Sequence, residues 1–271
     1  YFPSAALKLQ VTDNFSFGLI YDQPFGAEAE YSTGTQKTTA LPGPLAPLGN
    51  QGLFHNGTEG TSVEVKSQSI SMLFGYQPTE NFNFYAGPVY QTIKGDVQLR
   101  GLAYGGNATF GGYNASIKET GDIGWLAGAA FQIPDIALKA SVTYRSEIEH
   151  SVNVKESFNS AGLLAGLNAA PSLNTDITTP QSVNLDFQTG IMANTVAFAN
   201  VRWVDWSSFS IQPYKFGLAS KSAAIQAQTG KSEFDLVAYT DDQISATVGV
   251  GRKLNDQWAG NVSVGWDSGA G

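Results

Sequence analysis

The sequence predicts an all-β chain folded as a transmembrane antiparallel up-and-down β-barrel, and three observations carry the prediction. Apolar and polar residues alternate with period two, over a stretch as long as 136–154. Short turns and long loops follow one another in strict alternation along the chain. No apolar run approaches the roughly 18–20 residues that a spanning helix needs. The composition agrees, with 42% hydrophobic and 14% charged residues, 30 Gly and no Cys among 271 residues, which excludes a disordered tail and a disulfide scaffold. A barrel shows lipid only alternate residues, so a mean hydropathy of −0.12 is compatible with a membrane. A Gly-rich soluble β-sandwich shares this composition, and in it the apolar parity would form the core. The net charge of −8 argues against a nucleic-acid partner, which calls for an excess of Lys and Arg. The chain starts at Tyr1 with no charged segment and apolar run ahead of the strands, so it reads as processed or truncated.

Ten strands are expected near 2–11, 15–31, 62–76, 82–100, 116–132, 136–154, 181–192, 196–209, 241–254 and 258–267. The first opposes Leu7, Leu9 and Val11 to Lys8 and Gln10. The second is regular except at Pro24-Phe25-Gly26, where proline cannot donate to a ladder and a kink or bulge is expected. The clearest, 136–154, sets Ile136, Leu138, Ala140, Val142, Tyr144, Ile148, Val152 and Val154 against Lys139, Ser141, Thr143, Arg145, Glu147, Glu149, Ser151 and Asn153. In 181–192, Val183, Leu185, Phe187 and Ile191 oppose Ser182, Asn184, Asp186 and Gln188, and the last two strands repeat the pattern with Ile244, Val248 and Val250, then Trp258, Val262, Val264 and Trp266. The turns are Thr12-Asp13-Asn14, Pro78-Thr79-Glu80-Asn81, Ile133-Pro134-Asp135, Ala193-Asn194-Thr195 and Asn255-Asp256-Gln257. The loops, about 32–61, 101–115, 155–180 and 210–240, are too long for ordinary hairpins. In a meander all of these loops emerge at one end, as in outer-membrane barrels. A weak repeat follows the turns: Asp13-Asn14-Phe15, Glu80-Asn81-Phe82 and Asp256-Gln257-Trp258. An aromatic placed directly after a polar turn suits a ring at a membrane interface, although a hairpin followed by a core aromatic reads the same way.

Particular segments resemble a known family. Val11 to Gly18 and Tyr21 to Tyr31, then Thr143-Tyr144-Arg145-Ser146-Glu147-Ile148 and Trp206-Ser207-Ser208-Phe209, are similar to the FadL-type long-chain fatty-acid transporters of the Gram-negative outer membrane (OMPP1/FadL/TodX). Members have fourteen strands and an N-terminal hatch that plugs the lumen. The ten strands correspond to the second to eleventh, so 1–271 is expected to be barrel throughout, with the hatch, first strand and last three strands absent, and the Asn-Pro-Ala hatch motif does not occur.

The resemblance implies a passive channel that holds an acyl chain in an apolar cleft and its carboxylate on a cation, a task the planar guanidinium fork suits. Among four arginines, Arg100, at the loop side of the fourth strand, is similar in placement to the family's carboxylate-binding arginine. Lys215 resembles its partnering lysine, two residues late and after Pro213. Both are also readable as cations on an extracellular rim, Lys215 the more so. The resemblance also makes Pro24, Phe25 and Gly26 a lateral gate through which cargo leaves into the bilayer, avoiding a cost of about 0.8 kcal/mol per CH₂ exposed to water. Lys139, Arg145, Glu147 and Glu149 share one polar parity and are expected to form a lumen charge network. Leu163, Leu164 and Leu167 make loop 155–180 unusually apolar, either as a substrate-capture surface or as a short helix packed on its neighbours.

With only His55 and His150, catalytic triads and multi-histidine metal sites are poorly supplied, so neither enzyme activity nor a cofactor is expected. The expected partners are a long-chain fatty acid or other hydrophobic small molecule, outer-membrane lipid and lipopolysaccharide, around a monomer. Two alternatives stand beside fatty-acid uptake: a channel of the same fold for aromatic or alkane hydrocarbons, and a structural or adhesive barrel.

Overall fold

The computed structural model describes residues 3–33 and 51–271. The N-terminal residues of the expected strand 2–11 and positions 34–50 of the loop 32–61 lie outside the described residues. The strands are β1 (Ala5–Gln10), β2 (Phe15–Asp22), β3 (Gly26–Glu30), β4 (Ser62–Tyr76), β5 (Phe82–Gln98), β6 (Asn114–Ile133), β7 (Leu138–Arg145), β8 (Ile148–Ser157), β9 (Asn174–Thr179), β10 (Ser182–Met192), β11 (Thr195–Val204), β12 (Ser210–Ile211), β13 (Val237–Ala238), β14 (Gln243–Lys253) and β15 (Ala259–Asp267). Two short helices, α1 (Tyr214–Ser220) and α2 (Ala223–Thr229), occupy the last long loop. All pairings are antiparallel, and the main sheet follows the path β1-β2-β4-β5-β6-β7-β10-β11-β14-β15, with β3 on β4, β8 on β6 and β9 on β8. This path matches the ten expected strands in order. β1 and β15 are its edges, and side chains from β2, β7 and β11 meet around one small cavity, so the wall curves about a lumen.

Three expected strands are interrupted. Asp22 pairs with Ser69 but Gly26 with Lys66, so the second strand carries one extra residue at Gln23-Pro24-Phe25. Facing it across β4 and β5, the register of β5 on β6 slips from Ile93↔Thr120 to Gly95↔Ile117, an extra residue at Lys118–Glu119. The expected strand 136–154 breaks at Ser146-Glu147, level with a break at Pro180-Gln181 between β9 and β10. Ser146 fills its own break: its backbone N–H donates to the Trp125 carbonyl at 2.9 Å and its Oγ accepts from the Trp125 N–H at 3.0 Å.

One extra residue reverses which side chains face inward, because side-chain direction has period two. In the half nearer the turns, Leu7, Phe15, Met72, Phe74, Val142, Phe187, Val248 and Val264 face out and are exposed, while Ser69, Ser71 and Arg145 turn to the lumen. In the half nearer the loops, Ile93, Val97, Ile117, Val152, Val154 and Ile177 are buried inside, packed with Phe110, Tyr113, Phe158 and Phe216. A single uniform apolar face along 136–154 is therefore corrected: Val142 looks outward and Val152 inward. The lengths fit this division. β7, β10, β11, β14 and β15 have 8–11 residues, about what a tilted strand needs to cross the hydrocarbon core, whereas β5 and β6, with 17 and 20, run on beyond it.

At the turn end, the repeated Asn-Phe pair has a structural reason. Asn14 Nδ2 donates to the Gln77 carbonyl and Asn81 Nδ2 to the Gln132 carbonyl, each at 2.8 Å, so each asparagine clasps the end of the strand that pairs with the one it precedes. The rings that follow, Phe15, Phe82 and Trp258, are exposed at the rim.

Candidate functional site

Three cavities of about 400 to 670 Å³ lie along the lumen, besides the small one between β2, β7 and β11. Near the turns, one of about 630 Å³ brings Lys8, Asp22, Asn83, Lys139 and Arg145 together with Ile20, Leu73 and Leu126. Near the loops, one of about 670 Å³ is bounded mainly by apolar side chains, Val97, Leu99, Phe110, Phe216, Ile225 and Phe234, with Thr109, Gln228, Lys231 and Asp235 also lining it. A third, of about 400 Å³, sits at the break in the second strand, against Pro24, Phe25, Gly26, Trp206, Phe209 and Tyr239. Val63 and Val237 line both apolar cavities, which are thus neighbours.

The break is held by one side chain. Ser67 of β4 accepts the Phe25 N–H on Oγ at 2.9 Å and donates from the same Oγ to the Phe25 carbonyl at 2.6 Å, while its own N–H donates to that carbonyl at 3.0 Å. The backbone groups that the bulge removes from the ladder are thereby satisfied, as partly buried polar groups require. Gly26 opens β3 without the left-handed backbone that would demand glycine, so what it supplies is the missing side chain. The Phe25 ring meets Trp206 edge-on at 5.4 Å, and Trp206 also contacts Phe209 and Tyr239. The indole is fixed by a 2.9 Å bond from Nε1 to Gln243 Oε1.

Among the described residues Arg100 and Lys215 are linked only through Tyr113 and Glu156, and neither lines the cavity near the loops. Arg100, 6% exposed, donates from Nε to Glu59 at 2.7 Å, from Nη1 to the Leu99 and Tyr113 carbonyls at 2.9 and 3.1 Å, and from Nη2 to Asn114 at 2.8 Å. Lys215, 5% exposed, sends Nζ to the Asn168 carbonyl at 3.2 Å. Between them stands Glu156, a buried carboxylate that accepts the Lys215 and Phe216 N–H groups at the start of α1, each at 2.8 Å, and the Tyr113 hydroxyl at 2.9 Å. Burial, and then the neighbouring Glu156 charge, push the Tyr113 phenol far above its ordinary range, so it stays protonated and donates. The carboxylate in this neighbourhood belongs to the chain itself.

The four charged residues of the expected network separate. Lys139 and Arg145 face the lumen, and Arg145 Nη2 pairs with Asp22 Oδ2 at 3.1 Å. Glu147 lies in the break and Glu149 past it, where parity has reversed, and both are exposed. The three loop leucines also divide. Leu164 is buried and Leu167 packs on the upper cluster beside the 3₁₀ turn Ala165–Ala169, whereas Leu163 is 72% exposed. His55 and His150 are both buried, His150 bonded through Nε2 to Gln91 at 3.1 Å. Sequence reading missed Ser67, Glu156 and Tyr113. A serine in an alternating strand carries no signal of its own, and Glu156 was hidden by placing the strand end at 154.

An apolar outer belt, charged groups within the lumen beneath it and cavities beyond define the class: the wall of an outer-membrane-type β-barrel. The chain belongs to the outer membrane protein transport protein family (OMPP1/FadL/TodX), whose model matches residues 50–261; it is a family of transport proteins and not of enzymes. Comparison with curated proteins gives no match. Among solved structures, the chain is similar to a Pseudomonas aeruginosa FadL homologue (16% identity, TM-score 0.64, 98% of this chain and 60% of that one). It is also similar to the Ralstonia pickettii toluene transporter TbuX (12%, 0.61, 98% and 69%) and the Pseudomonas putida toluene transporter TodX (14%, 0.59, 98% and 68%). The chain thus spans 60–69% of the length of these three structures.

Proposed function

We propose that this chain forms the wall of a passive uptake channel for long-chain fatty acids and similar hydrophobic compounds, which pass from the upper apolar cavity to the break at Pro24-Phe25-Gly26 and leave sideways into lipid. The observation that carries the reading is the adjacency of the two apolar cavities through Val63 and Val237, the second of them at the break. A path lined by apolar groups spares each methylene about 0.8 kcal/mol of exposure to water. The channel works as a monomer set in lipid and lipopolysaccharide, and Leu163 offers cargo an exposed apolar contact at the loop end. Gly26→Trp in the full-length protein tests the exit: uptake of radiolabelled oleate by intact cells should be lost while the barrel still assembles. Unchanged uptake by a correctly assembled variant would remove the lateral exit.

A second reading, aromatic hydrocarbon cargo, is favoured by the ring cluster of Phe25, Trp206, Phe209 and Tyr239 at the break, since rings gain from edge and offset contacts with other rings. TbuX and TodX are toluene transporters. Trp206→Leu separates the two: toluene uptake should fall more than oleate uptake if rings are the cargo, and both should respond alike if acyl chains are.

A further inference from the structure

We infer that Arg145 and Arg202 form a carboxylate-binding station in the lumen, placed to hold the head group of an acidic cargo while its apolar tail lies in the cavity of the strand break. The inference rests on the channel reading above and adds to it a charged site other than Arg100 and Lys215. Both guanidiniums line a cavity of about 130 Å³ that also touches Asp22, Pro24, Ser182 and Asn184. Arg145 is already engaged, with Asp22 at 3.1 Å and with Ser69 at 3.3 Å. Arg202 stands on β11, between Asn184 of β10 and Ser245 of β14. It enters no ion pair among the described residues, and its buried Nε has no hydrogen-bond partner. Residues 1–2 and 34–50 contain no Asp or Glu.

Among the described residues two cations therefore share one carboxylate, which leaves one positive charge uncompensated in a confined space. A second carboxylate relieves that charge, and a guanidinium fork with a free Nε edge receives it with two parallel bonds. Asp22 does not repel it strongly from the Arg202 side, being held by Arg145 and by the Ser69 hydroxyl. Pro24 lines both this cavity and the apolar one at the break, so head-group site and tail site meet at a single residue. Arg100 already gives four hydrogen bonds to protein acceptors, and Lys215 gives one from Nζ.

The test compares uptake of palmitate and of hexadecane, alike in length and different in charge, by cells carrying the full-length wild-type, Arg202→Gln or Arg202→Lys protein. Barrel assembly is checked by heat-modifiable electrophoretic mobility. The Gln variant should take up palmitate about tenfold more slowly, the loss of one charge-assisted pair, with hexadecane unchanged. The Lys variant should fall between, keeping the charge and losing the fork. An equal fall for both cargoes, or a fall in thermal stability with no change in selectivity, would mean that the partner is a carboxylate of the polypeptide and would overturn the assignment. So would unchanged uptake of both, which leaves the channel reading standing. Wild-type cells that take up hexadecane alone also overturn it, and cells that take up neither refute the channel reading itself.

Discussion

Ser67 shows how much one small side chain can settle. Its hydroxyl both donates to and accepts from the Phe25 backbone, so Ser67→Ala leaves a partly buried N–H and carbonyl without their side-chain partner. The expected cost is about 1–3 kcal/mol in urea unfolding from lipid vesicles, the usual range for such groups. Arg100 makes the opposite kind of prediction. Its bonds run to Glu59, two carbonyls and Asn114, so Arg100→Gln should lower thermal stability and leave oleate affinity within about twofold, as equilibrium binding to the purified full-length protein would show. Intact affinity there would fit a head group held elsewhere or a neutral cargo. Asp242 supplies a pH dependence. Hydrogen bonds from Ser207 first, and then from the Trp203 indole, hold its carboxyl below the usual carboxylate range. A lowered value means stability that is complete above the unfolded carboxylate pKa of about 3.9 and is lost as pH falls through the folded one. Tryptophan emission from Trp203 and Trp206 should therefore change reversibly only below about pH 4, and Asp242→Asn should remove that step.

The elements repeat one device, a strand interrupted by a single added residue. β5 carries a harder interruption, Gly87-Pro88 in the middle of a wall strand, where the ladder to β4 skips from Ser71↔Val89 to Phe74↔Ala86. A Cβ at Gly87 would lie 1.7 Å from the Met72 carbonyl oxygen, so Gly87→Val should block β4–β5 pairing and yield no heat-modifiable barrel. Much of this was legible beforehand. The ten strands and the kink at Pro24 follow from alternation and from proline's missing N–H, because those properties are local. The break at Ser146-Glu147 was not legible, since residues on either side continue the same alternation and only the partner strands reveal that the faces have changed. Glu156 and Arg100 were obscured for a related reason. Whether a buried charge meets cargo or protein depends on loops folding back from about 40 and 60 residues away, over Glu59 and Phe216.

At the scale of the whole molecule, the wall has two halves of opposite polarity. Nearer the turns it is apolar outside and polar within. Nearer the loops it carries its apolar residues inside, like a soluble β-domain. Val248→Arg places a charge on the lipid face and should cost about 2–4 kcal/mol if near the bilayer midplane, measured by urea unfolding in vesicles, while leaving the upper cluster intact.

The point where the halves meet makes chain length, more than residue identity, the quantity to which this fold is most sensitive. Ser146-Glu147 is a spacer, and removing Glu147 alone would turn Ile148, His150, Val152 and Val154 toward water and bring Glu149, Ser151, Asn153 and Lys155 into the place of the core. No substitution at any of those eight positions does comparable damage. A one-residue deletion there should be worse tolerated than a several-residue insertion between Pro171 and Leu173, in a connecting stretch that belongs to no strand.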